Sequence, residues 1–226
     1  MEMAVSEFTD RVELRQFVQR VLLSTECQKV SFRYDGREYH GLAFAAVAHA
    51  MNPRPGSMGH ISIDVKPLPA GTGAQYLTHS NTMVFPPPAK AFGLTPFDRA
   101  SIVHESVHAV RDGWGVKPTR GARYQPGGTR AVNDEAAAFI AGALYDIHWQ
   151  TPGPGSTPTR PAWSQNLTHP FGIAWTLAQN IWQTPGATVS DNDAAALRAA
   201  ITSLSPTYNH IQANPNVMYA NDGWKR

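Results

Sequence analysis

Cysteine, charge and long apolar runs are all scarce in this chain of 226 residues. Cys27 is the single cysteine, so no disulfide can form within the chain, and we interpret it as a small buried thiol. A chain without a disulfide fits a reducing cytoplasm. Charged residues make up 16% of the sequence, the formal net charge is +2, and no basic run exceeds two adjacent residues. Because proteins that bind a phosphate backbone are usually far more basic, we expect no nucleic-acid partner.

The sequence shows neither a membrane span nor a secretory signal. Its longest apolar stretch, residues 41–51, is about half as long as a bilayer requires. The first ten residues carry Glu2, Glu7 and Asp10, with no basic segment followed by an apolar core. We therefore expect no membrane partner, and a protein that is cytoplasmic or is exported without a recognisable signal peptide.

One short motif points to a specific chemistry. His104 and His108 enclose Glu105 in the segment His-Glu-Ser-Val-His, which lies in an apolar run typical of a helix. A helix is predicted over 96–112, because a threonine can cap its start and a glycine can end it. Residues four apart share one face of a helix, so both imidazoles can reach the same metal ion. The spacing therefore predicts half of a zinc site.

A catalytic zinc ion takes three protein ligands and leaves one position open, so a third ligand must come from elsewhere in the chain. A third histidine six residues after His108 is excluded, because Trp114 stands there. Glu135 is the best candidate, since it opens a second helix predicted over 131–149, where the helix dipole favours a carboxylate. Asp134 is a rival ligand that the residues alone leave open.

Glu105 is predicted to be the general base and acid. Zinc lowers the pKa of a bound water towards neutrality, and a carboxylate next to the first ligand can take its proton and pass it to the leaving group. A purely structural zinc site would not need this glutamate. We therefore predict Zn²⁺ as the cofactor, with His104, His108 and Glu135 as ligands and Glu105 as a catalytic residue.

This region of the sequence resembles the thermolysin-like, or gluzincin, metallopeptidases. Their zinc helix often continues as His-Ala-Val-x-Asp, which matches 108–112, and their third ligand is a glutamate in an Asn-Glu-Ala context, which corresponds here to 133–136. The family also places an edge strand before the zinc helix, and residues 81–85 are similar to it. The resemblance extends over 76–145. It implies a zincin-like fold and peptide hydrolysis, and it favours Glu135 as the third ligand.

Three departures from the family pattern bear on the site. Asp134 is inserted between the asparagine and the glutamate, and Phe139 stands about one turn after the third ligand, where the family has an acidic residue. The group that orients His104 must then be Asp134, Asp112 or a backbone carbonyl. The connection over 112–131 also differs in length and is rich in glycine and arginine.

A hydrolase of this type needs hydrogen-bond donors for the oxyanion that forms at the scissile carbonyl. Among the histidine and tyrosine candidates we select His169 and Tyr124 as catalytic. The other candidates are Tyr145, Tyr208 and His210. Arg111 lies one turn beyond His108, and we interpret it as an ordinary surface arginine, with the anchoring of a substrate or of Asp134 as alternatives.

The predicted fold class is α+β and zincin-like in a single domain, 1–226. An N-terminal helix and a small, mostly antiparallel sheet (1–95) precede a helical half that carries the zinc helix (96–226). The sheet begins with a hairpin around Asp35-Gly36, whose second arm includes Tyr39 and Leu42. The other predicted elements are a first helix over 6–24, strands over 60–66 and 82–85, helices over 168–183 and 191–204, and an irregular tail over 206–226 that wraps the body.

The favoured function is that of a zinc metallopeptidase that cleaves peptide bonds. Its expected partner is a peptide or protein substrate, and the expected oligomeric state is a monomer. The strand over 82–85 is expected to be an exposed edge beside the zinc helix, to which an extended peptide can add by main-chain hydrogen bonds. Two alternatives stay open: a zinc hydrolase of a non-peptide amide or small molecule, and a non-enzymatic binding protein with a vestigial site.

Overall fold

The computed structural model describes residues 2–52, 61–69, 72–87, 95–113, 129–151, 153, 155–204, 209–214, 216–219 and 224. The helices are α1 (Glu2–Leu23), α2 (Thr25–Lys29), α3 (Gly41–Ala50), α4 (Pro96–Gly113), α5 (Ala131–Gln150), α6 (Pro170–Ile181), α7 (Asp191–Ser203) and α8 (Asn209–Ala213). The strands are β1 (Ser31–Tyr34), β2 (Arg37–His40), β3 (Ser62–Val65), β4 (Gln75–Leu77), β5 (Thr82–Phe85), β6 (Thr129–Arg130), β7 (Ala187–Thr188) and β8 (Met218–Tyr219). The chain is thus an α+β protein, as its sequence predicts.

The first hairpin forms at the predicted turn. Asp35 and Gly36 have φ angles of 52° and 69°, the left-handed conformation that a two-residue hairpin turn requires. The second arm is shorter than predicted, because the chain enters α3 at Gly41, and Leu42 is therefore helical and 74% exposed. Alanines favour the helix here, and Gly41 allows it to start against Gln28, since a Cβ would lie 2.5 Å from the Gln28 Cα.

The strands divide between separate sheets rather than forming the one small sheet that the sequence predicts. One three-stranded sheet has the order β2-β1-β7, a second has the order β3-β5-β4, and β6 pairs with β8. Each three-stranded sheet joins one antiparallel and one parallel pair. The parallel pairs bring together strands that are separated by other elements in the chain, which a local pattern of side chains does not encode.

Strand β5 is the centre of its sheet and not an edge. Its Met83 lies opposite Ile63 of β3 on one side and Tyr76 of β4 on the other. The span predicted for this strand is confirmed, but its predicted exposed edge is wrong. The edge strand beside α4 is β4, which the sequence analysis missed because three residues are too few to show an alternating pattern.

Helix α4 confirms the span predicted for the zinc helix to within one residue at each end. Its start is fixed by a reciprocal pair of hydrogen bonds. The Asp98 N–H donates to Thr95 Oγ1, and the Thr95 N–H donates to Asp98 Oδ2, both at 3.1 Å. The predicted cap therefore fixes the residue at which the helix begins. It also fixes the face of the helix on which the two histidines lie.

Helix α5 lies against α4 and is buried along nearly its whole length. Small residues allow this close packing. A Cβ on Gly142 would lie 2.9 Å from the carbonyl oxygen of Ala100 in α4, so glycine is the residue that permits this approach. Its span confirms the predicted second helix to within one residue at each end.

The remaining helices follow their predictions with shifted ends. Helix α6 is two residues shorter at each end than predicted, and α7 begins at the predicted residue, where Ser190 and Asp193 form a capping box. The tail contains α8 and β8 rather than being irregular throughout. It does wrap the body, since the Trp224 Nε1–H donates to the carbonyl oxygen of Ala109 in α4 at 3.0 Å.

Cys27 is free and buried, as predicted, and burial raises the pKa of its thiol. Within the described ranges, no helix combines the length and the apolar character that crossing a bilayer requires.

Candidate metal centre

Helix α4 presents His104 and His108 on the same face. They are four residues apart, and their ring centroids lie 5.3 Å from each other with the planes at 78°. His108 is 7% exposed, and His104 is somewhat more accessible. The two imidazoles therefore converge on one point at the boundary between α4 and α5.

Helix α5 brings Glu135 to this point. His104 Nε2 lies 3.4 Å from Glu135 Oε2, and His108 Nε2 lies 3.6 Å from Glu135 Oε1. One donor atom from each of the three residues lies within 4.8 Å of the others. A tetrahedral zinc ion with bonds of about 2.0–2.2 Å holds its ligands about 3.3–3.6 Å apart. The three residues predicted as ligands are thus brought together by the fold, and their nitrogen and oxygen donors could hold a metal ion.

Asp134 lies behind His108 and not among the converging atoms. Its Oδ2 accepts a hydrogen bond from His108 Nδ1 at 2.6 Å, and the carboxylate is fully buried. This contact leaves Nε2 of the same ring facing Glu135. Asp134 therefore orients His108, whereas sequence analysis considered it as a rival ligand or as a partner of His104.

Arg111 is buried and anchors Asp134. It is 1% exposed, and its NH1 lies 3.4 Å from Asp134 Oδ2. Its Cζ also lies 4.8 Å from the ring centroid of Tyr219 in β8. The interpretation of Arg111 as a surface residue is therefore wrong, because the tail strand covers a face of α4 that the sequence leaves open.

Glu105 points from α4 towards the edge strand β4. Its Oε2 accepts a hydrogen bond from the Tyr76 backbone N–H at 2.7 Å, and its Oε1 lies 3.8 Å from His104 Nε2. Burial raises the pKa of Glu105, against the opposing effect of the two histidines. A carboxylate with a raised pKa is a better proton acceptor near neutral pH.

Asp112 has a different role from the one considered in the sequence. Its Oδ2 accepts a hydrogen bond from the Tyr76 hydroxyl at 3.0 Å. Tyr76 is therefore held to α4 by its side chain while its backbone N–H holds Glu105. Sequence reasoning missed Tyr76, since the signal of a three-residue strand is weak.

The charges around the donor atoms favour a cation. Burial lowers the pKa of His108, but Asp134 and Glu135 outweigh this effect and raise it to about 9. Burial raises the pKa of Asp134 and of Glu135. His108 and the other nearby positive groups, Arg111 for Asp134 and His104 for Glu135, together outweigh burial, so both pKa values are lowered. Two ionised carboxylates at a buried site also favour a divalent metal ion between the ligand atoms.

No family model, curated protein or solved structure matches the chain. The chain's own residues therefore carry the information about this site. They are the two histidines of α4, Glu135 of α5, and the buried contacts of Glu105 and Asp134.

A cavity of about 90 Å³ opens next to His104 and Glu105. Its walls are largely aromatic, and they are formed by Phe97, Phe139, Trp163 and Phe171. These rings pack edge to face, with centroid separations between 5.0 and 5.8 Å for the pairs Phe139–Phe171 and Phe97–Trp163. The cavity is therefore a preformed apolar space adjoining the candidate base.

Phe139 packs against His104. Its ring centroid lies 4.8 Å from that of His104, with the planes at 82°. The phenyl group fills the space beside His104 and forms part of the cavity wall. The apolar side chain at this position enlarges the hydrophobic wall of the cavity and offers His104 no hydrogen bond.

Of the two predicted oxyanion donors, the structure describes His169 alone, and it does not bring His169 to the ligand cluster. His169 caps α6: its ring accepts the Phe171 N–H at 3.4 Å and stacks on the Phe171 ring at 5.1 Å. The rings of Phe171 and Phe139 stand in succession between His169 and His104. Tyr124, the other predicted donor, lies outside the described residues, as do Tyr208 and the side chain of His210.

Proposed function

We propose that this protein is a zinc-dependent hydrolase that cleaves peptide bonds, with a zincin-like arrangement of α4, α5 and the edge strand β4. His104, His108 and Glu135 are the metal ligands in this proposal, and Glu105 is the general base. The observation that carries it is the position of Glu105. Glu105 is buried, and its Oε2 accepts a hydrogen bond from the Tyr76 N–H at 2.7 Å. Its Oε1 lies on the side of His104, but Glu105 is not one of the three converging ligands.

The donor set supports zinc as the metal. Two imidazole nitrogens and one carboxylate oxygen are a common ligand set of catalytic zinc, and they leave one coordination position open. Zinc held there supplies a Lewis acid that polarises a carbonyl and makes water more acidic. The buried Asp134, which accepts the Nδ1 proton of His108, keeps Nε2 available as the ligand atom.

Glu105 then moves the protons. A carboxylate with a raised pKa accepts the proton of the attacking water and transfers it to the leaving nitrogen. The hydrogen bond from the Tyr76 N–H holds one carboxylate oxygen, Oε2, and leaves Oε1 on the His104 side for this exchange. Its fixed orientation lowers the entropic cost of reaching the reactive geometry.

The cavity and β4 support a peptide as the substrate. Residues 72–74, which lead into β4, line the cavity together with Glu105. An extended peptide that lies beside β4, whose outward-facing Tyr76 N–H is already bound to Glu105, would place one apolar side chain in the cavity and an adjoining amide next to Glu105. In this proposal β4 is the edge strand beside the peptide substrate, a role that the sequence analysis assigned to β5.

Metal analysis combined with peptide cleavage tests this proposal. The purified protein is expected to hold about one zinc ion per chain, and His104→Ala or Glu135→Ala to lose most of it. Glu105→Gln is expected to keep the zinc while cleavage of a quenched-fluorescence peptide library falls by about 100-fold or more. Glu38→Gln, which changes an exposed carboxylate on β2, is the matched control and should keep both.

The outcomes separate the parts of the proposal. A chain that cannot be loaded with zinc would refute the hydrolase function. Full activity in Glu105→Gln would exclude Glu105 as the base. Bound zinc without cleavage of any peptide would point to a non-peptide amide as the substrate.

A further inference from the structure

A polar cavity of about 650 Å³ lies beside the first turn of α5. Its walls come from the turn of the first hairpin, the start of α5, helix α7 and the tail strand β8. None of the described residues that line it belongs to the aromatic cavity or to the ligand cluster. Its volume falls within the range of about 300–1,000 Å³ that is typical of small-ligand sites. The cavity is therefore separate from the candidate metal centre and large enough to hold a ligand of its own.

Asn133 offers a buried hydrogen-bond donor to this cavity. It lines the cavity and is 8% exposed, and its Oδ1 accepts a hydrogen bond from the Tyr34 hydroxyl at 3.3 Å. The Tyr34 hydroxyl accepts one from Arg198 NH1 at 2.8 Å, so this chain of bonds fixes the orientation of the Asn133 amide. Within the part of the chain that the structure describes, no group accepts a hydrogen bond from Asn133 Nδ2. A buried donor without an acceptor costs free energy, so an oxygen atom of a ligand in the cavity would stabilise it.

Charges of both signs line the same cavity. Arg130, the residue before the first turn of α5, and Asp35, in the hairpin turn, are exposed, and neither forms an ion pair with another described residue. Arg198 and Asp191 also line the cavity, and they pair with each other at 3.1 Å. The lining thus carries two positive and two negative side chains. Part of this wall would repel a ligand with several charges of one sign, whereas a ligand with one separate charge of each sign complements it.

A short peptide carries one charge of each sign, at its two ends. Its carboxylate accepts hydrogen bonds from guanidinium and amide groups, and the start of a helix favours negative charge. Arg130 and Asn133 supply both kinds of donor at the start of α5. Asp35 supplies a carboxylate for the ammonium end. Peptide termini are recognised in this way in other proteins.

We infer that the polar cavity binds a short peptide by its charged termini, with Arg130 and Asn133 holding the carboxylate and Asp35 holding the ammonium group. This site lies outside the proposed metal centre, and its existence does not rest on the hydrolase function.

Calorimetric titration of the full chain with trialanine tests the inference. Two blocked probes match it: N-acetyl-trialanine lacks the ammonium group, and trialanine amide lacks the carboxylate. Each titration is repeated after a chelator has removed any metal, because the polar cavity needs none. A peptide bound at the metal centre would depend on the metal, so this comparison separates the two sites.

The test variants are Arg130→Gln and Asp35→Asn. Asparagine tolerates the left-handed φ of 52° at position 35, so the hairpin turn should keep its shape. The matched controls are Arg33→Gln and Glu38→Gln, which change exposed charges of the same hairpin that do not line the cavity.

The wild type is expected to bind trialanine equally well with and without metal, and to bind each blocked probe about 5-fold more weakly. Arg130→Gln should weaken trialanine by a similar factor and should distinguish it from trialanine amide less than the wild type does. Asp35→Asn should do the same for trialanine and N-acetyl-trialanine. Titration with trialanine should also shift the side-chain amide resonance of Asn133.

Three results would overturn the inference. The first is a wild type that does not bind trialanine at millimolar concentrations, and the second is binding that disappears with the metal. The third is an equal loss of affinity in Arg33→Gln or Glu38→Gln, which would indicate a general effect of surface charge. None of these results alters the zinc content or the effect of Glu105→Gln, so failure of the inference is distinguishable from failure of the proposed function.

Discussion

Asp134 has two roles that the substitution Asp134→Asn can test: it orients His108 for metal binding, and it stabilises the fold by its ion pair with Arg111. Asp134 accepts the Nδ1 proton of His108 at 2.6 Å and pairs with Arg111 at 3.4 Å, fully out of contact with solvent. Asparagine has nearly the same shape but no charge. The substitution therefore leaves the packing intact, weakens the hold on His108, and leaves the buried Arg111 without its anionic partner.

Two magnitudes follow from these contacts. Loss of a carboxylate that orients a metal-bound histidine typically weakens the metal by about 10- to 100-fold, which equals about 1.4–2.7 kcal/mol of binding free energy. Removal of one partner of a buried ion pair destabilises the fold by about 3–5 kcal/mol. The aromatic face of Tyr219 still contacts Arg111, so we expect the lower end of that range.

A double variant keeps the two effects apart. Adding Arg111→Met to Asp134→Asn removes the unpaired charge, so the free energy of unfolding should recover towards that of the wild type while zinc affinity stays low. Zinc affinity is measured by competition with a chelator, and stability by urea unfolding of the zinc-free protein. Asp191→Asn, which changes a carboxylate with 79% of its side chain exposed, is the control and should alter neither.

A zinc affinity of Asp134→Asn equal to that of the wild type would refute the orienting role of Asp134. Recovery of zinc affinity in the double variant would show that the loss came from the unpaired Arg111 and not from His108.

Two further predictions concern the packing and charge of α5. Asp146 is buried, and burial raises its pKa from 3.8 to about 6, against a hydrogen bond from Gln150. The folded state therefore holds its proton over a range where the unfolded state has lost it. Its stabilising contribution is present below pH 3.8 and is lost as the pH rises through about 6. Asp146→Asn should raise the free energy of unfolding at pH 7.5 by roughly 1–3 kcal/mol and change it little at pH 3.5, and an equal gain at both values would contradict this account. Gly142→Ala should destabilise the protein by roughly 1–3 kcal/mol and weaken zinc, because the new Cβ would lie 2.9 Å from the Ala100 carbonyl oxygen and press apart the helices that carry the ligands. Gly153→Ala, with no atom within 4 Å of the new Cβ, is its control in thermal unfolding, and equal melting temperatures would exclude the steric argument.

The sequence predicted correctly those features that depend on residues close together in the chain. The Thr95 cap, the turn at Asp35-Gly36 and the spacing of His104 and His108 depend on residues within a few positions of each other, and all three features lie where the sequence places them. Glu135 reaches the histidines because it begins a helix that the sequence also reveals.

Features that depend on distant contacts were not predicted. The central position of β5 follows from its pairing with β3 and β4, and the burial of Arg111 follows from the arrival of Tyr219 on the tail strand. The orientation of Asp134 depends on the rotation of α5 relative to α4, which the close packing at Gly142 sets. No pattern within a single segment contains this information.

The bond between the Tyr76 N–H and Glu105 has a consequence for spectroscopy. An outward-facing amide on an edge strand normally exchanges its hydrogen with solvent quickly, because nothing pairs with it. Here the amide donates to a buried carboxylate at 2.7 Å, so its proton should exchange slowly. The Tyr76 amide resonance therefore reports on Glu105 itself, and its shift upon addition of a metal or an inhibitor would register directly any movement of the carboxylate.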